Sequence, residues 1–173
     1  MLNSVETPGE TDGTAEPRWL DPEERDAWLS LTSLLIKLPA ALDAQLQRDS
    51  GLSHFEYSVL AGLSEAPEGA LRMSVLAAYA EGSLPRLSQV VARLERRGLI
   101  RRTPDPDDGR YTLAMLTDEG RAVVVAAAPG HVETVRSLVF DPLTKSKTRQ
   151  LRDICLRLLS AVDPGGHCFD HKR

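Results

Sequence analysis

Apolar residues recur along the chain at spacings of three and four, a pattern typical of helices with one buried face. The first such stripe follows Asp21 and Pro22, a capping side chain and a proline suited to the first helical position. Pro39 interrupts the stripe and is expected to kink the predicted helix. The apolar members are Trp28, Leu31, Leu35, Leu38, Leu42 and Leu46. A helix of this length needs a cover, either from a partner chain or from the C-terminal helices.

The middle of the chain predicts three shorter helices, each with start and stop signals. Ser53, followed by Glu56 three residues later, forms a capping box for the first of them. "SVLAAYAE" predicts a short second helix that stops at Gly82, and Ser83 caps a longer third helix, "LPRLSQVVARLERRG". The third helix has an apolar face, made by Leu87, Val90, Val91 and Leu94, and a basic face free of acidic residues, made by Arg86, Gln89, Arg93 and Arg97.

Two short runs, "LIRRT" and "YTLAML", then predict a hairpin whose strands are joined by residues 104–110. Asp108-Gly109, inside this connection, is a hairpin turn signal. Thr117 caps a new helix, which we expect to break at Pro129-Gly130. A last helix follows Asp141-Pro142, and its apolar stripe consists of Leu151, Ile154, Cys155, Leu158 and Leu159.

The composition favours a soluble globular protein, since 42% of the residues are hydrophobic and 27% are charged. No unbroken apolar run approaches the roughly 20 residues that span a bilayer. The first residues, "MLNSVETPGETDGTAEPR", lack the basic start and the apolar core of a signal peptide. We expect a disordered tail at residues 1–20 and a flexible tail at residues 164–173. These features predict a cytoplasmic location and no membrane contact.

The net charge of −4 argues mildly against nucleic acid, but the charge is unevenly distributed. Between Leu71 and Arg110 there are eight arginines and five acidic residues, so this segment carries a net charge of +3. A basic segment in an acidic chain indicates a local anion-binding surface. The elements around it are a short helix, a turn, a longer basic helix and a hairpin, which is the order of a winged helix-turn-helix. We therefore predict a mainly α fold with a small β-hairpin wing.

In such a module the second helix enters the major groove with its N-terminal residues facing the base edges. The hairpin is a wing, which would place Arg110 in the narrow, electronegative minor groove. Asp108 would brace Arg110 or a neighbour such as Arg102. The predicted contacts with double-stranded DNA are Arg72, Ser83, Pro85, Arg86, Ser88, Gln89, Arg93, Asp108 and Arg110.

The run "RLERRGLIRRTPDPDDGRYTLAMLTDEGRAVV", which begins at Arg93, resembles the MarR family of bacterial transcription regulators. One part of the resemblance is the Asp-x-Arg motif of the wing, at Asp108 and Arg110. The other part is a Leu-Thr-x-x-Gly motif, made by Leu116, Thr117 and Gly120. Together the two motifs are more specific than either alone.

The sequence departs from the family pattern at two places. Pro85 and Arg86 stand where Ser or Thr is frequent, and Gly109 stands where an arginine is frequent. The resemblance implies a homodimer, most simply a repressor, whose terminal helices interlock and whose wings straddle a palindromic site. It implies a dimerisation region formed by residues 21–50 and 117–163, and a DNA-binding domain formed by residues 51–116.

The resemblance also implies a pocket for a small-molecule effector between the dimerisation helices and the DNA-binding domain. The candidate lining residues are Trp28, Leu31, Leu35, Phe55 and Tyr57. Burial in the dimer core is an equally good explanation for these side chains.

Other classes of protein are less consistent with the sequence. The wing aspartates lack the 12-residue loop ending in a glutamate that a calcium site needs. No Gly-rich phosphate loop, Gly-x-Ser-x-Gly elbow or His-Glu-x-x-His pair is present, so we do not expect an enzyme. A winged helix used for protein contact is the alternative, but such a module does not need an acid-free arginine face.

The two cysteines have different surroundings. Cys155 lies on the apolar stripe of the last helix and is expected to be a small core residue. Cys168, with His167 and His171, supplies metal-ligand types and leaves open a thiol- or metal-responsive regulator. Neither an ordered metal site nor a cofactor is expected.

Overall fold

The structure is a computed structural model, which describes residues 16–164. The chain divides into two compact units, residues 1–35 and residues 36–173. Most of the two expected tails lies outside the described residues. The same is true of the candidate thiol and metal residues His167, Cys168 and His171.

The first unit contains, in its described part, residues 16–20 without regular structure and the first part of helix α1 (Pro22–Ser50). Asp21 caps this helix, because its Oδ1 accepts the backbone N–H of Glu24 at 2.8 Å. The Oε2 of Glu24 accepts the backbone N–H of Asp21 in return, at 3.0 Å. The predicted long helix is confirmed, with Pro39 inside it.

The second unit begins within α1 and continues with helix α2 (His54–Glu65). The predicted capping box is present: Ser53 Oγ accepts the Glu56 N–H at 3.1 Å, and Glu56 Oε2 accepts the Ser53 N–H at 2.9 Å. Helices α3 (Met73–Tyr79) and α4 (Leu84–Arg96) follow. They are the two helices of the predicted helix-turn-helix.

A three-stranded antiparallel sheet, with strand order β1-β3-β2, completes the winged fold. Its strands are β1 (Ala70–Arg72), β2 (Ile100–Pro104) and β3 (Thr112–Leu116). Strands β2 and β3 form the predicted hairpin, and the loop between them is the wing. Strand β1 could not be predicted from the sequence, because three residues before a helix carry no alternating pattern. Strand β1 pairs Arg72 with Leu113 of β3 and so holds the start of α3 against the wing hairpin.

Helix α5 (Asp118–Val135) begins after a Thr117 cap, as predicted. Thr117 Oγ1 accepts the N–H of Gly120 at 3.0 Å and donates to the carbonyl oxygen of Gly98 at 2.7 Å. A Cβ at Gly120 would lie 2.1 Å from the carbonyl oxygen of Leu99, so the close approach requires glycine. The start of α5 is therefore in contact with the segment that joins α4 to β2.

The expected break at Pro129-Gly130 is wrong. Helix α5 continues through both residues into a π-helical turn (Arg136–Phe140), and α6 (Lys145–Val162) follows. A proline removes one intrahelical hydrogen bond, which is a local cost. The packing of α5 against α2, with Val124 and Ala127 buried, outweighs that cost.

The hydrophobic core of the second unit lies among helices α2, α3 and α4 and the sheet. Its largest fully buried side chains are Leu46, Leu52, Leu60, Leu63, Leu76, Leu87, Leu94, Ile100, Val59 and Val91. All four residues of the predicted apolar face of α4 are buried. Burial of that face leaves the basic face of α4 exposed to solvent.

Large apolar side chains remain exposed on the long helices. None of the α6 residues that the structure describes is buried, and Ile154, Leu158 and Leu159 are about half exposed. Cys155 is also exposed, so within the described part of this one chain it is not the core residue that the stripe predicts. The α6 stripe is apolar, but the described part of this one chain does not cover it.

Two helical segments, Pro22–Ser50 and Asp118–Phe140, are long and apolar enough to cross a membrane, each with a mean hydropathy of 1.2 in its best window. The chain has no unbroken apolar run of that length, as expected, but the average over a window tolerates isolated polar residues. In α1, isolated serines and threonines lie among apolar residues and barely lower the average. Length and composition are weak evidence for a membrane span, since a helix that packs against other helices passes the same test.

Candidate DNA-binding surface

The N-terminus of α4, the second helix of the helix-turn-helix and hereafter the recognition helix, lies against the ring of Phe55. Ser83 caps the helix by accepting the Arg86 N–H at 3.4 Å, and Pro85 is in the first turn. The guanidinium carbon of Arg86 lies 4.2 Å from the centre of the Phe55 ring, which is a cation–π distance. A Cβ at Gly82 would lie 2.5 Å from the same ring, so the turn before α4 also depends on Phe55.

Further along α4, the exposed face includes Ser88 and Gln89, followed by Arg93. Arg93 Nε lies 3.5 Å from Glu56 Oε1, and Arg97 lies 3.9 Å from Glu56 Oε2. Glu56 belongs to α2 and is buried. The C-terminal half of the predicted basic face is therefore paired with an acid that the sequence analysis assigned only to a helix cap.

At the tip of the wing, Arg110 and Asp108 form a bidentate ion pair. Arg110 Nε donates to Asp108 Oδ1 at 2.9 Å, its second nitrogen donates to Oδ2 at 2.6 Å, and its backbone N–H donates to Oδ1 at 3.1 Å. The side chain of Arg110 is 84% exposed, against 27% for Asp108. The hydrogen bond from Arg110 also lowers the pKa of Asp108. Asp108 thus fixes an arginine that is open to a partner.

The base of the wing is built on a buried carboxylate, Asp105. Its Oδ1 accepts the backbone N–H groups of Asp107 at 2.9 Å and Asp108 at 3.4 Å. Its Oδ2 accepts from Arg72 Nε at 2.5 Å, and the Arg72 guanidinium lies 4.6 Å from the Tyr111 ring centre. The Asp107 amide, and after it Arg72, lowers the pKa of Asp105. Arg72, a predicted DNA contact, is thus paired within the protein.

Arg102 has a different partner from the one that the sequence analysis considered. It donates to Glu95 Oε2 through two nitrogens, at 2.8 and 2.6 Å, and its backbone N–H donates to Glu95 Oε1 at 3.1 Å. Hydrogen bonding by Arg102 lowers the pKa of Glu95. Since Glu95 is in α4 and Arg102 in β2, this ion pair joins the recognition helix to the wing hairpin.

Comparison with known proteins identifies the family. The family model described as "MarR family" matches residues 50–110. A solved structure of Sco3205, a MarR family transcriptional regulator from Streptomyces coelicolor in complex with DNA, is 44% identical, with a TM-score of 0.82. The match covers 85% of this chain and 96% of that one. This chain belongs to the MarR family.

The chain is also similar to curated proteins that are described as transcriptional regulators. The HTH-type transcriptional regulator MT0903.1 of Mycobacterium tuberculosis is 30% identical over 123 residues, 70% of this chain and 85% of that protein. The transcriptional regulator HosA of Escherichia coli is 35% identical over 74 residues, 43% of this chain. The chain spans about half, 53%, of the length of HosA. The chain thus has the DNA-binding fold of a family of transcriptional regulators.

A cavity of about 900 Å³ opens beside the recognition helix of this MarR family fold. Of the five candidate pocket residues, Phe55 and Tyr57 line this cavity. The other three, Trp28, Leu31 and Leu35, belong to the first unit. Trp28 and Leu35 are 55% and 63% exposed. The lining also includes side chains that the sequence analysis did not single out for the pocket: Asp43, His54, Tyr79, Glu81, Arg86 and His131.

The imidazole rings of His54 and His131 lie close together in the lining of the cavity. The ring centres of His54 and His131 are 5.8 Å apart, and those of Tyr57 and His131 are 4.5 Å apart. Burial lowers the pKa of His54, against the opposing charge of Asp43. Burial and the neighbouring His54 lower the pKa of His131. The cavity is thus lined by aromatic and imidazole rings, by the acidic side chains of Asp43 and Glu81, and by the guanidinium of Arg86.

One of the similar solved structures contains a small-molecule ligand. CouR from Rhodococcus jostii, whose crystal structure contains p-coumaroyl-CoA, is 28% identical, with a TM-score of 0.68 over 80% of this chain and 93% of that one.

Proposed function

We propose that this protein is a homodimeric repressor that binds a palindromic operator and leaves it when a small apolar or aromatic ligand binds. The observation that carries the DNA-binding part is the pair of exposed guanidinium groups on two different elements. Arg86 is on the first turn of α4, and Arg110 is at the tip of the wing. Arg86 would bind in the major groove and Arg110 in the minor groove.

The proposed major-groove contacts are at the N-terminal half of α4. Arg86 would bind a guanine edge there, with Ser83, Pro85, Ser88 and Gln89 beside it. Arg93, whose charge is shared with Glu56, would contact phosphate. Support comes from Sco3205, which is 44% identical and was crystallised with DNA.

The homodimer is proposed from the uncovered apolar helices. Helix α6 has no buried residue among those described, and exposed apolar side chains also occur at Val132 in α5 and at Leu138 and Phe140 in the π-helical turn after it. Exposed apolar surface of this extent marks an interface. We propose residues 21–50 and 117–163 as the dimerisation region and 51–116 as the DNA-binding domain. Two-fold symmetry would then require an inverted repeat with half-site centres about 10 base pairs apart.

The effector is proposed from the cavity beside Arg86. An aromatic compound fits a lining that includes the rings of Phe55, Tyr57 and Tyr79, and Arg86 supplies a cation for its carboxylate or thioester group, beside the acidic side chains of Asp43 and Glu81. Support comes from CouR, which was crystallised with an aromatic acyl-CoA. Coupling between such a ligand and DNA is typically about 1–3 kcal/mol, or about 5- to 150-fold in affinity.

The test is fluorescence anisotropy with DNA from upstream of the protein's own gene, in the presence and absence of competitor DNA. We expect specific binding with a stoichiometry of two chains per site. A panel of aromatic carboxylates and acyl-CoA thioesters is then titrated into the complex. Binding no stronger than to competitor DNA would favour the alternative, a winged helix that contacts protein. Specific binding that no compound weakens would remove only the effector.

A further inference from the structure

We propose that Asp105, Arg72 and Tyr111, the wing clasp, position Arg110 for the minor groove without contacting the DNA themselves. The inference rests on the proposed DNA-binding function. It assigns a role to Asp105, and it changes the role of Arg72 from a DNA contact to a positioning residue.

The buried carboxylate of Asp105 is the centre of the wing clasp. Asp105 is 5% exposed, and Gln45 and Glu56 are the other buried polar residues of the described chain. A buried carboxylate must be compensated by hydrogen bonds and an opposite charge. Asp105 has both, since one oxygen accepts two backbone N–H groups of the wing and the other accepts from Arg72.

The contacts of Asp105 continue directly to Arg110. The backbone N–H of Asp108 donates to Asp105, and the carboxylate of Asp108 chelates Arg110. The backbone closes the same turn, because Asp105 N–H donates to the Tyr111 carbonyl at 3.0 Å and Tyr111 N–H donates to the Asp108 carbonyl at 3.0 Å. The direction of the Arg110 side chain therefore depends on Asp105 through a continuous series of hydrogen bonds.

The placement of Arg72 favours a positioning role over a DNA contact. Strand pairing with Leu113 brings Arg72 to the wing from 33 residues before Asp105. Its guanidinium is committed on one side to Asp105 and on another to the Tyr111 ring. Its side chain is 41% exposed, about half the value of Arg110.

The first test compares Asp105→Ala with Asp107→Ala in the full-length protein. Both variants remove one negative charge from the same loop, but Asp107 is exposed and offers only its backbone N–H to the clasp. We expect Asp105→Ala to weaken operator binding and to lower the slope of log affinity against log salt by about one unit, as the loss of Arg110 would. Asp107→Ala should bind as well as the wild type or better. Asp105→Asn, which retains an acceptor for the two amides, should recover part of the loss.

The second test asks whether the clasp acts through Arg110. Substitutions at two independent sites have additive effects on the binding free energy, so their combined effect on affinity is predictable to within about twofold. If Asp105 positions Arg110, Arg110→Ala should change affinity by less than about twofold once Asp105 is alanine. Arg72→Ala in the Asp105→Ala background should likewise have no further effect. If Arg72→Ala lowers the affinity and the salt slope further in that background, Arg72 contacts DNA directly. If the affinity losses of Asp105→Ala and Arg110→Ala are additive, the proposal is overturned.

A measurement without DNA separates the failure of this inference from the failure of the proposed function. Amide hydrogen exchange of Asp107 and Asp108 should accelerate in Asp105→Ala and stay slow in Asp105→Asn, at an unchanged thermal unfolding midpoint of the domain. If the wild type binds no DNA specifically, the DNA-binding function fails whatever the exchange rates are. If it binds and the exchange rates are unchanged, the wing clasp is wrong.

Discussion

The guanidinium of Arg86 lies over the ring of Phe55, 4.2 Å from its centre. Arg86 is the first arginine of the recognition helix, and Phe55 is near the start of α2, beside the capping box. The same ring is in contact range of Gly82 and forms part of the cavity wall. One aromatic side chain thus supports the turn before α4, the proposed base-reading arginine and the proposed ligand site.

Replacing Arg86 should change the specificity of DNA binding. A bidentate contact to guanine is worth about 1–3 kcal/mol of discrimination against the wrong base. We expect Arg86→Ala to relax the preference at one base pair in each half-site. Arg86→Lys should keep the charge and lose most of that discrimination. The measurement is a set of binding curves on the operator and its single-base variants. Full discrimination by Arg86→Ala would show that another residue reads that base pair.

Replacing Phe55 by leucine should weaken DNA binding modestly without changing base preference. A cation–π contact at an exposed site contributes about 0.5–1 kcal/mol, or roughly two- to fivefold. The loss is expected because Arg86 becomes less ordered before it reaches the DNA. The effect should be absent in an Arg86→Ala background, which is the control. A change in the preferred base would indicate that α4 itself has moved.

Replacing Arg110 should weaken binding to all sequences alike. The minor groove offers a degenerate code and mainly a negative potential. We therefore expect Arg110→Ala to lower the salt slope by about one unit. Arg18→Ala removes the same charge from an exposed residue outside the proposed DNA-binding and dimerisation regions and should leave the slope unchanged. Equal slopes for Arg110→Ala and the wild type would contradict the docking of the wing.

Introducing a charge on α6 should separate the chains. Leu158 is 46% exposed and lies on the apolar stripe of α6. Leu158→Glu would bury an unpaired carboxylate in the proposed interface. We expect a monomer by analytical ultracentrifugation, together with weaker operator binding. Arg157→Glu introduces the same residue off the stripe and should remain dimeric. A wild-type chain that sediments as a stable folded monomer would rule out the homodimer.

The stability of the protein should fall as the pH drops below about 6.5. The pKa values of His54 and His131 are lowered from their ordinary value of 6.5 in the folded protein. Between the folded and the unfolded pKa, the unfolded chain binds more protons, so acid favours unfolding there. The stabilisation is complete above pH 6.5 and is lost as pH falls through the folded values.

The pH prediction is checked by the thermal unfolding midpoint between pH 7.5 and 5. The decrease in the unfolding midpoint between pH 7.5 and 5 should be smaller in the double variant His54→Gln, His131→Gln than in the wild type. Asp105, Asp108 and Glu95 have lowered pKa values and respond only near pH 4 or below, outside this range. An equal fall in the double variant would assign the acid sensitivity to other groups.

The sequence was sufficient for those features that depend on local patterns. The apolar face of α4, the Ser53 capping box and the β2–β3 hairpin each follow from residues a few positions apart, and the structure has all three. The wing aspartate and arginine, two residues apart in sequence, also form the expected ion pair.

Contacts between residues far apart in sequence could not be predicted in this way. Glu56 pairs with Arg93 across 37 positions, and Arg72 pairs with Asp105 across 33. No local period connects such residues, and the three-residue strand that brings Arg72 to the wing has no pattern of its own. Pro129 lies inside a continuous helix and Cys155 is exposed in this chain. Both outcomes depend on whether the helix packs against other helices, which neighbouring residues in the sequence do not specify.

The approach of Gly120 to the carbonyl oxygen of Leu99 has a mechanical consequence. Thr117 binds the carbonyl of Gly98 at the same point, directly after the recognition helix and before the first wing strand. Helix α5 is therefore fixed directly to the segment between the two elements that we propose to contact DNA. We expect a rotation of α5 to carry α4 and the wing with it. A signal that reaches α5 should then change the fit in both proposed grooves at once, and a larger side chain at position 120 should uncouple them.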